Sequence, residues 1–359
     1  MTARFSRSLR RRLLVVGGVA VLAAGAFGSG GATFAHSPSP LFGSSTWDQD
    51  QIVGFQWWPG AVPPSWMAAA VDLGAQDVGQ SRNSRAATFT RVSSANSRIA
   101  YGAANPCPAY GIACMDRTGV PDRFAGMWFR PHGWPFDWGT LRWCQALPSP
   151  ANGCFDAENV ALDEFGHIEI IGHHVNYADE SDYLDSVVQA TSRARPKAGW
   201  NAHVFGRCDI ARLQLEYELA SPSGLVSTCL SLGTNLSIVP GATLIAAGDS
   251  VRITGNLKIA VASSARSLSG DPLSGRAINL QRRALGATTW ATMAVLGATG
   301  TAGSYAISFA PASTYDYRLS FSATSAEGLL GSVSSVVRIT VTACTGVVPV
   351  GIGPQVACE

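Results

Sequence analysis

Asp163, His167, His173 and His174 have the residue types and the spacing of a metal centre, in the stretch NVALDEFGHIEIIGHHVN at 159–176. Residues four apart on an α-helix share a face, so Asp163 and His167 can point at one ion. Glu164, one position on, is turned by about a hundred degrees and can reach a metal-bound water instead of the metal. If the helix ends at Gly172, the chain can swing His173 back as a third ligand, with His174 as its rival. Three protein ligands and one open position are what catalytic zinc requires. The ion lowers the pKa of its water, a carboxylate takes the proton, and the same ion polarises a carbonyl.

The stretch resembles H-E-x-x-H-x-x-G-x-x-H, the zinc-binding helix of metallopeptidases, with Asp163 at the first His position and Ile170 at the Gly position. From about Trp47 to Leu219 the chain resembles a matrixin-type metzincin. That is a secreted zinc endopeptidase with a strand-and-helix subdomain, an active-site helix, a Met-turn and a C-terminal helix. DSVVQ (185–189) resembles the S-x-M-Q/Y Met-turn, and GWNAHVFGRCDIARLQLEYE (199–218) resembles the lead into the last helix. The resemblance implies Asp163, His167 and His173 as Zn2+ ligands, Glu164 as general base and Val188 as an apolar floor. A carboxylate is an established zinc ligand beside two imidazoles. Asp is shorter than His, however, so the helix or the ion must shift. Ile170 is β-branched and disfavours the positive φ that Gly allows, which moves the expected turn to Gly172 and keeps His174 in play. The family's latency device is a propeptide cysteine; no cysteine precedes Cys107, so no cysteine switch is expected.

The remaining sequence sets the context. Basic residues up to Arg12, an apolar run Leu13–Phe27 and a small-residue stretch to Ala35 read as a secretory signal peptide over 1–35. The run falls short of the roughly 20 residues that span a bilayer, so no stable membrane anchor is expected. The eight cysteines fall as four sequence neighbours, Cys107/Cys114, Cys144/Cys154, Cys208/Cys229 and Cys344/Cys358. Nearest-neighbour disulfides are the simplest of many possible connectivities, and they suit an extracellular, secreted protein. A formal net charge of +2 gives no global electrostatic case for nucleic acid or an anionic membrane.

The elements that must position the site follow from periodicity. Residues 36–46 read as a leader or linker, and 47–230 as the matrixin-like domain. IVGFQWW, AATFTRV and SRIAYGA read as strands; PPSWMAAAVDLGAQDVGQ, AENVALDEFGHIEII and RCDIARLQLEYEL read as helices. Asp209 reads as the N-cap of the last helix. Asn105–Asp156 reads as a long irregular stretch. From 235 to 345, short strand-like runs recur at about ten-residue intervals, the pattern of an immunoglobulin-like β-sandwich. This region has no His. Residues 346–359 form a tail closed by Cys344 and Cys358.

The fold class expected is therefore α+β, a zincin/metzincin-like catalytic domain followed by an all-β immunoglobulin-like sandwich. The function expected is a secreted zinc-dependent endopeptidase acting on a protein or peptide substrate, with a surface or matrix ligand for the sandwich. The alternative is a non-catalytic secreted binding or adhesion protein on a degenerate zincin scaffold. His132, Trp128, Trp134 and Trp138 read first as packed loop residues and only second as a cleft rim. His203 reads as orienting the loop before the last helix. Asp179, Glu180, Asp182 and Asp185 read as solvated acids without full calcium-loop spacing. No G-x-S-x-G elbow occurs.

Overall fold

In a computed structural model, the structure describes residues 37–102, 104, 106–137, 139–144, 154–174, 182–188, 203–217, 229–261, 263–323, 328–343, 347–350 and 353–356. The signal stretch 1–35, Trp138, Asp179, Glu180 and the Cys344/Cys358 pair lie outside these residues. Phe34–Glu359 groups as one compact unit. The chain is α+β, with helices interleaved among strands in its first part and strands dominating the rest.

Strand β1 (Ile52–Trp57) alternates as its sequence demands, burying Val53, Phe55 and Trp57. Pro63 and Pro64 precede helix α1 (Ser65–Ser81), where the absent amide hydrogen of proline costs nothing. The helix buries Met67, Val71, Gly74, Ala75 and Val78, recurring every three or four residues. Strands β2 (Thr88–Arg91), β3 (Ser97–Tyr101), β4 (Ala113–Asp116) and β5 (Gly126–Phe129) complete a five-stranded sheet in the order β2-β1-β3-β5-β4. All its pairings are parallel except β4 on β5, so β4 is an antiparallel edge strand. This corrects the irregular reading of 105–156. Within that stretch lie β4, β5 and the short strands β6 (Pro135–Phe136), β7 (Gly139–Thr140), β8 (Trp143–Cys144) and β9 (Phe155–Asp156).

Helix α2 (Ala157–Glu169) starts from Asp156, whose Oδ1 accepts the amides of Glu158 (3.0 Å) and Asn159 (3.3 Å). Helix α1 lies against it at Gly74, where an added Cβ would come within 2.8 Å of Ala161 Cβ and of the Glu158 carbonyl oxygen. Short helix α3 (Asp182–Asp185) and helix α4 (Arg207–Tyr217) close the first part. Asp209 is not the N-cap of α4: the helix begins two residues earlier, and Asp209 reaches back to the Gly206 amide at 3.1 Å.

Beyond residue 233 come β10 (Thr234–Leu236), β11 (Val239–Pro240), β12 (Leu244–Ala246), β13 (Val251–Ile259), β14 (Ile278–Arg283), β15 (Ala291–Leu296), β16 (Ser304–Phe309), β17 (Tyr315–Phe321), β18 (Ser332–Val333) and β19 (Val337–Thr342). Strands β10, β13, β11 and β16 form one sheet, and β12-β19-β17-β14-β15 with β18 form another. In β13, Val251, Ile253, Leu257 and Ile259 turn inward and Arg252, Asn256 and Lys258 turn outward. Hairpin β20 (Val347–Val350) and β21 (Gly353–Val356) follows.

The two parts meet directly. The Arg266 amide, in the 3-10 stretch Ser263–Leu268, donates to Asn83 Oδ1 at 3.5 Å, and Gly328 lies against the Arg207 guanidinium. Disulfides Cys107–Cys114, Cys144–Cys154 and Cys208–Cys229 join sequence neighbours. Among the described residues no helix is long and apolar enough to cross a membrane.

The close approach at Gly74 gives the first prediction. Alanine is the better helix former by about 1 kcal/mol, yet its methyl would press on α2 backbone. Gly74→Ala is therefore expected to destabilise the protein by about 1–3 kcal/mol. Urea unfolding midpoints measure this, and an unchanged or raised midpoint would show that the helices separate freely.

Candidate metal centre

Helix α2 is buried along nearly its whole length, including Asp163, Glu164, His167 and Glu169. Asp163 Oδ1 lies 4.0 Å from His167 Nε2, and His173 Nε2 lies 3.0 Å from the same nitrogen. Ligand atoms of Asp163, His167 and His173 all fall within 4.8 Å of one another. His167 Nδ1 faces the Ile171 carbonyl at 2.7 Å. A carbonyl only accepts, so Nδ1 carries the proton and Nε2 presents a lone pair to the cluster. Burial, and then the neighbouring His173, push His167 down to about 4, which keeps the imidazole neutral. Burial also lowers His173, which is the exposed member of the three. Glu164 is 7% exposed, and burial pushes its carboxyl up to about 8.

His173 is delivered by a corner that differs from the one expected. Helix α2 ends at Ile170, which itself takes φ 118°, ψ −4°, while its amide reaches back to Gly166 and His167 carbonyls. The turn therefore stays at Ile170, and Gly172 is not among the positive-φ glycines. Ile170 is fully buried, and its packing holds a conformation that costs a β-branched residue about 1–3 kcal/mol. Residues 40–42, within the stretch 36–46 expected as a leader, brace this corner. Leu41 bridges Ile171, the Gly172 amide donates to Pro40 O (2.6 Å), the Phe42 amide donates to Ile170 O (2.6 Å), and the Phe42 ring sits 5.1 Å from the His167 ring.

The expected rival ligand, His174, is held elsewhere. Its amide donates to Val188 O at 2.8 Å and its Nδ1 lies 3.5 Å from Ser39 Oγ, beside buried Asp209. Asp209 accepts from Ser39 Oγ (2.7 Å), Ser186 Oγ (2.6 Å), the Val187 amide (2.8 Å) and the Gly206 amide. Burial raises its pKa, and these donors work against the rise. Through these bonds Asp209 fixes the 185–188 turn beneath α2. Val188 is fully buried there, and an added Cβ on Gly166 would come within 2.6 Å of its Cγ2.

No family model matches the chain, and no curated protein matches it. What the site can do follows from its own atoms. Two donors on one tetrahedral zinc at about 2.0–2.1 Å stand about 3.4 Å apart. The separations of 3.0 and 4.0 Å bracket that value. The donor set, one carboxylate and two imidazoles, suits a divalent transition ion, and the His167 Nδ1 bond to a carbonyl is the outer contact that orients a ligating histidine. Asp163, His167 and His173 therefore fit a metal.

The other candidates fall into structural places. His132 Nδ1 accepts the Trp143 amide at 3.2 Å, and Trp134 lies under the Arg130 guanidinium at 4.4 Å. Trp128 lies on β5 and fills the space over Gly126. Asp185 pairs with Arg207 inside the protein, so it is not a solvated acid; Asp182 opens α3.

His203 holds the loop before the last helix, as expected, but through a cluster of carboxylates that the sequence did not reveal. His203 Nε2 lies 2.9 Å from Asp156 Oδ2 and its Nδ1 lies 2.9 Å from Glu158 Oε1, with Asp77 alongside. Both ring nitrogens meet carboxylate oxygens, so the ring is an imidazolium. Burial opposes that charge, but hydrogen bonds and charge from Asp156 and Glu158 outweigh it and push His203 up to about 10. Asp77 is pushed up to about 8, first by burial and then by Glu158. The cluster clamps the lead into α4 onto the first turn of α2.

A folded pKa above the ordinary value means stabilisation that is complete below about 6.5 and lost as the pH rises toward 10. His203→Gln is expected to cost about 1–3 kcal/mol near neutral pH, with the deficit shrinking across that window. Urea unfolding at several pH values tests this, and a deficit independent of pH would rule out the imidazolium.

Proposed function

We propose that the protein is a secreted zinc-dependent endopeptidase of metzincin-like architecture, with its second part an immunoglobulin-like sandwich that presents it to a surface or matrix ligand. The observation that carries this reading is the convergence of Asp163, His167 and His173 beside the buried Glu164, with His167 tautomerically set to ligate. A bound zinc would supply an acidified water and a Lewis acid for the scissile carbonyl. Asp163, His167 and His173 would hold the ion, and Val188 would floor the site. Glu164 would take the proton of the attacking water and return it to the leaving amine, once the charge of an ion beside it favours the carboxylate over the neutral acid that burial alone favours. The edge position of β4 in the sheet supports a peptide substrate, since an open strand edge pairs with an extended chain. The disulfides between sequence neighbours support an oxidising, extracellular location.

A non-catalytic binding protein is the second reading, favoured by the Phe42 ring against His167 and by the near-complete burial of Glu164. Metal content and chelator-sensitive peptide cleavage separate the two. Zinc at one equivalent, cleavage lost by at least about a thousandfold in Glu164→Gln, and retained zinc in that variant are the expected results. A well-folded, zinc-replete protein with no cleavage would leave only the binding role. Cleavage equal in wild type and variant would place the chemistry elsewhere. Replacing Asp163 by Ala should weaken zinc affinity by about 10–100-fold or more; unchanged affinity would remove Asp163 from the ligand set.

A further inference from the structure

The six-stranded sheet carries an outward face with no role in the metal centre. Register places Arg283, Asp316 and Arg338 in one cross-strand row, and Gln281 beside Arg318 in the next. Their neighbours Leu280, Tyr317, Leu319 and Ile339 are fully buried, so the arginines occupy the solvent side. Asp316 receives Arg283 at 3.3 Å and Arg338 at 2.9 Å; Arg318 is held by Gln281 at 2.8 Å. Arg283 and Arg318 lie over Trp290, at 4.6 and 4.3 Å from the ring centroid. Three guanidiniums set against a single carboxylate leave this face positive, and the ring and the amide hold them in place.

Beside these arginines projects the β14–β15 connection, Ala284–Thr289, with the sequence ALGATT and no charge. It turns tightly at Gly286 (φ +77°), with Leu285 half exposed, and Val295 shares the outward face of the edge strand β15. A hydrated anionic polymer would match the arginines but offers nothing to an uncharged apolar tip. An anionic bilayer matches both. Guanidiniums bind headgroup phosphates, tryptophan favours the interfacial layer, and the exposed leucine enters the acyl boundary. We propose that this face, built on Arg283, Arg318, Arg338, Trp290, Leu285 and Val295, docks the protein reversibly on anionic phospholipid membranes.

Co-sedimentation of the secreted form, without the signal stretch 1–35, with phosphatidylcholine vesicles, with and without phosphatidylglycerol, tests the proposal. Binding is expected only to the anionic vesicles and should weaken with salt. Each arginine-to-glutamine change should lower the partition coefficient about fivefold, and the triple variant on the order of 100-fold. Since that variant strands Asp316, Leu285→Ser on the exposed tip provides a fold-neutral check, with a severalfold loss expected at unchanged thermal stability. Equal or absent binding to both vesicle types would overturn the proposal. So would binding that acidic polysaccharide abolishes and that Leu285→Ser leaves unchanged, which would assign the face to a soluble polyanion.

Discussion

Helix α2 buries four ionisable side chains, Asp163, Glu164, His167 and Glu169, and much of the surrounding structure answers that constraint. A charge left unpaired in a core costs several kcal/mol, so such groups either acquire partners or become neutral. Both outcomes occur on this one helix. Burial pushes Glu164 and Glu169 up to about 8, Glu169 against the opposing pull of Tyr217, Arg82 and Arg117, so both carboxyls favour the neutral acid near neutral pH. Burial pushes His167 the opposite way, toward the neutral base. The same desolvation thus prepares a lone pair on the imidazole and a reluctant carboxylate one turn away, the state in which a cation in their midst has most to gain.

The helix ends receive comparable attention. At its start Asp156 caps two amides and also meets the imidazolium of His203. At its close the Ile168 carbonyl accepts from Trp47 Nε1 and from the Arg117 guanidinium, while the Tyr217 hydroxyl donates to Glu169 O. These donors come from the segment before β1, the turn after β4, and α4. The α2 axis is fixed by chain segments separated by more than a hundred residues, and Asp209 plays the same part for the turn beneath it, joining Ser39, Ser186 and Gly206 at one carboxylate.

Much of this was legible in the sequence wherever local periodicity decides structure. Helices α1 and α2 and strand β1 carry repeating apolar positions, and the three disulfides join the nearest cysteines. The D-E-x-x-H spacing placed Asp163 and His167 on one face by helix geometry alone. Legibility ended where the determining contact is distant. Strand β4 is four residues long and half-buried, and only its pairing with β5 makes it a strand. Asp209 has the right chemistry for a cap, but the break that starts α4 at Arg207 depends on Asp185 and the turn before it. His203 shows nothing in sequence of carboxylates at 156 and 158, and the segment 36–46 looks like a linker until the partners of 40–42 at 170–172 are in view. Ile170 failed for a different reason: the rule against positive φ concerns an isolated residue, and here burial overrides it.

That last feature bears on how the site can move. A glycine corner adopts its turn at little cost, so it can form or open locally while the rest of the protein stays folded. A corner held at Ile170 is stable only while the surrounding core and the 40–42 segment press on it, which ties its opening to the loss of that packing. His173 rides on this corner. The relation between the helix-borne ligands and the loop-borne one is therefore guarded by the cooperativity of the whole domain, and fluctuations that would separate them belong to the slow, large-scale openings of the protein and not to the fast motions of a loop.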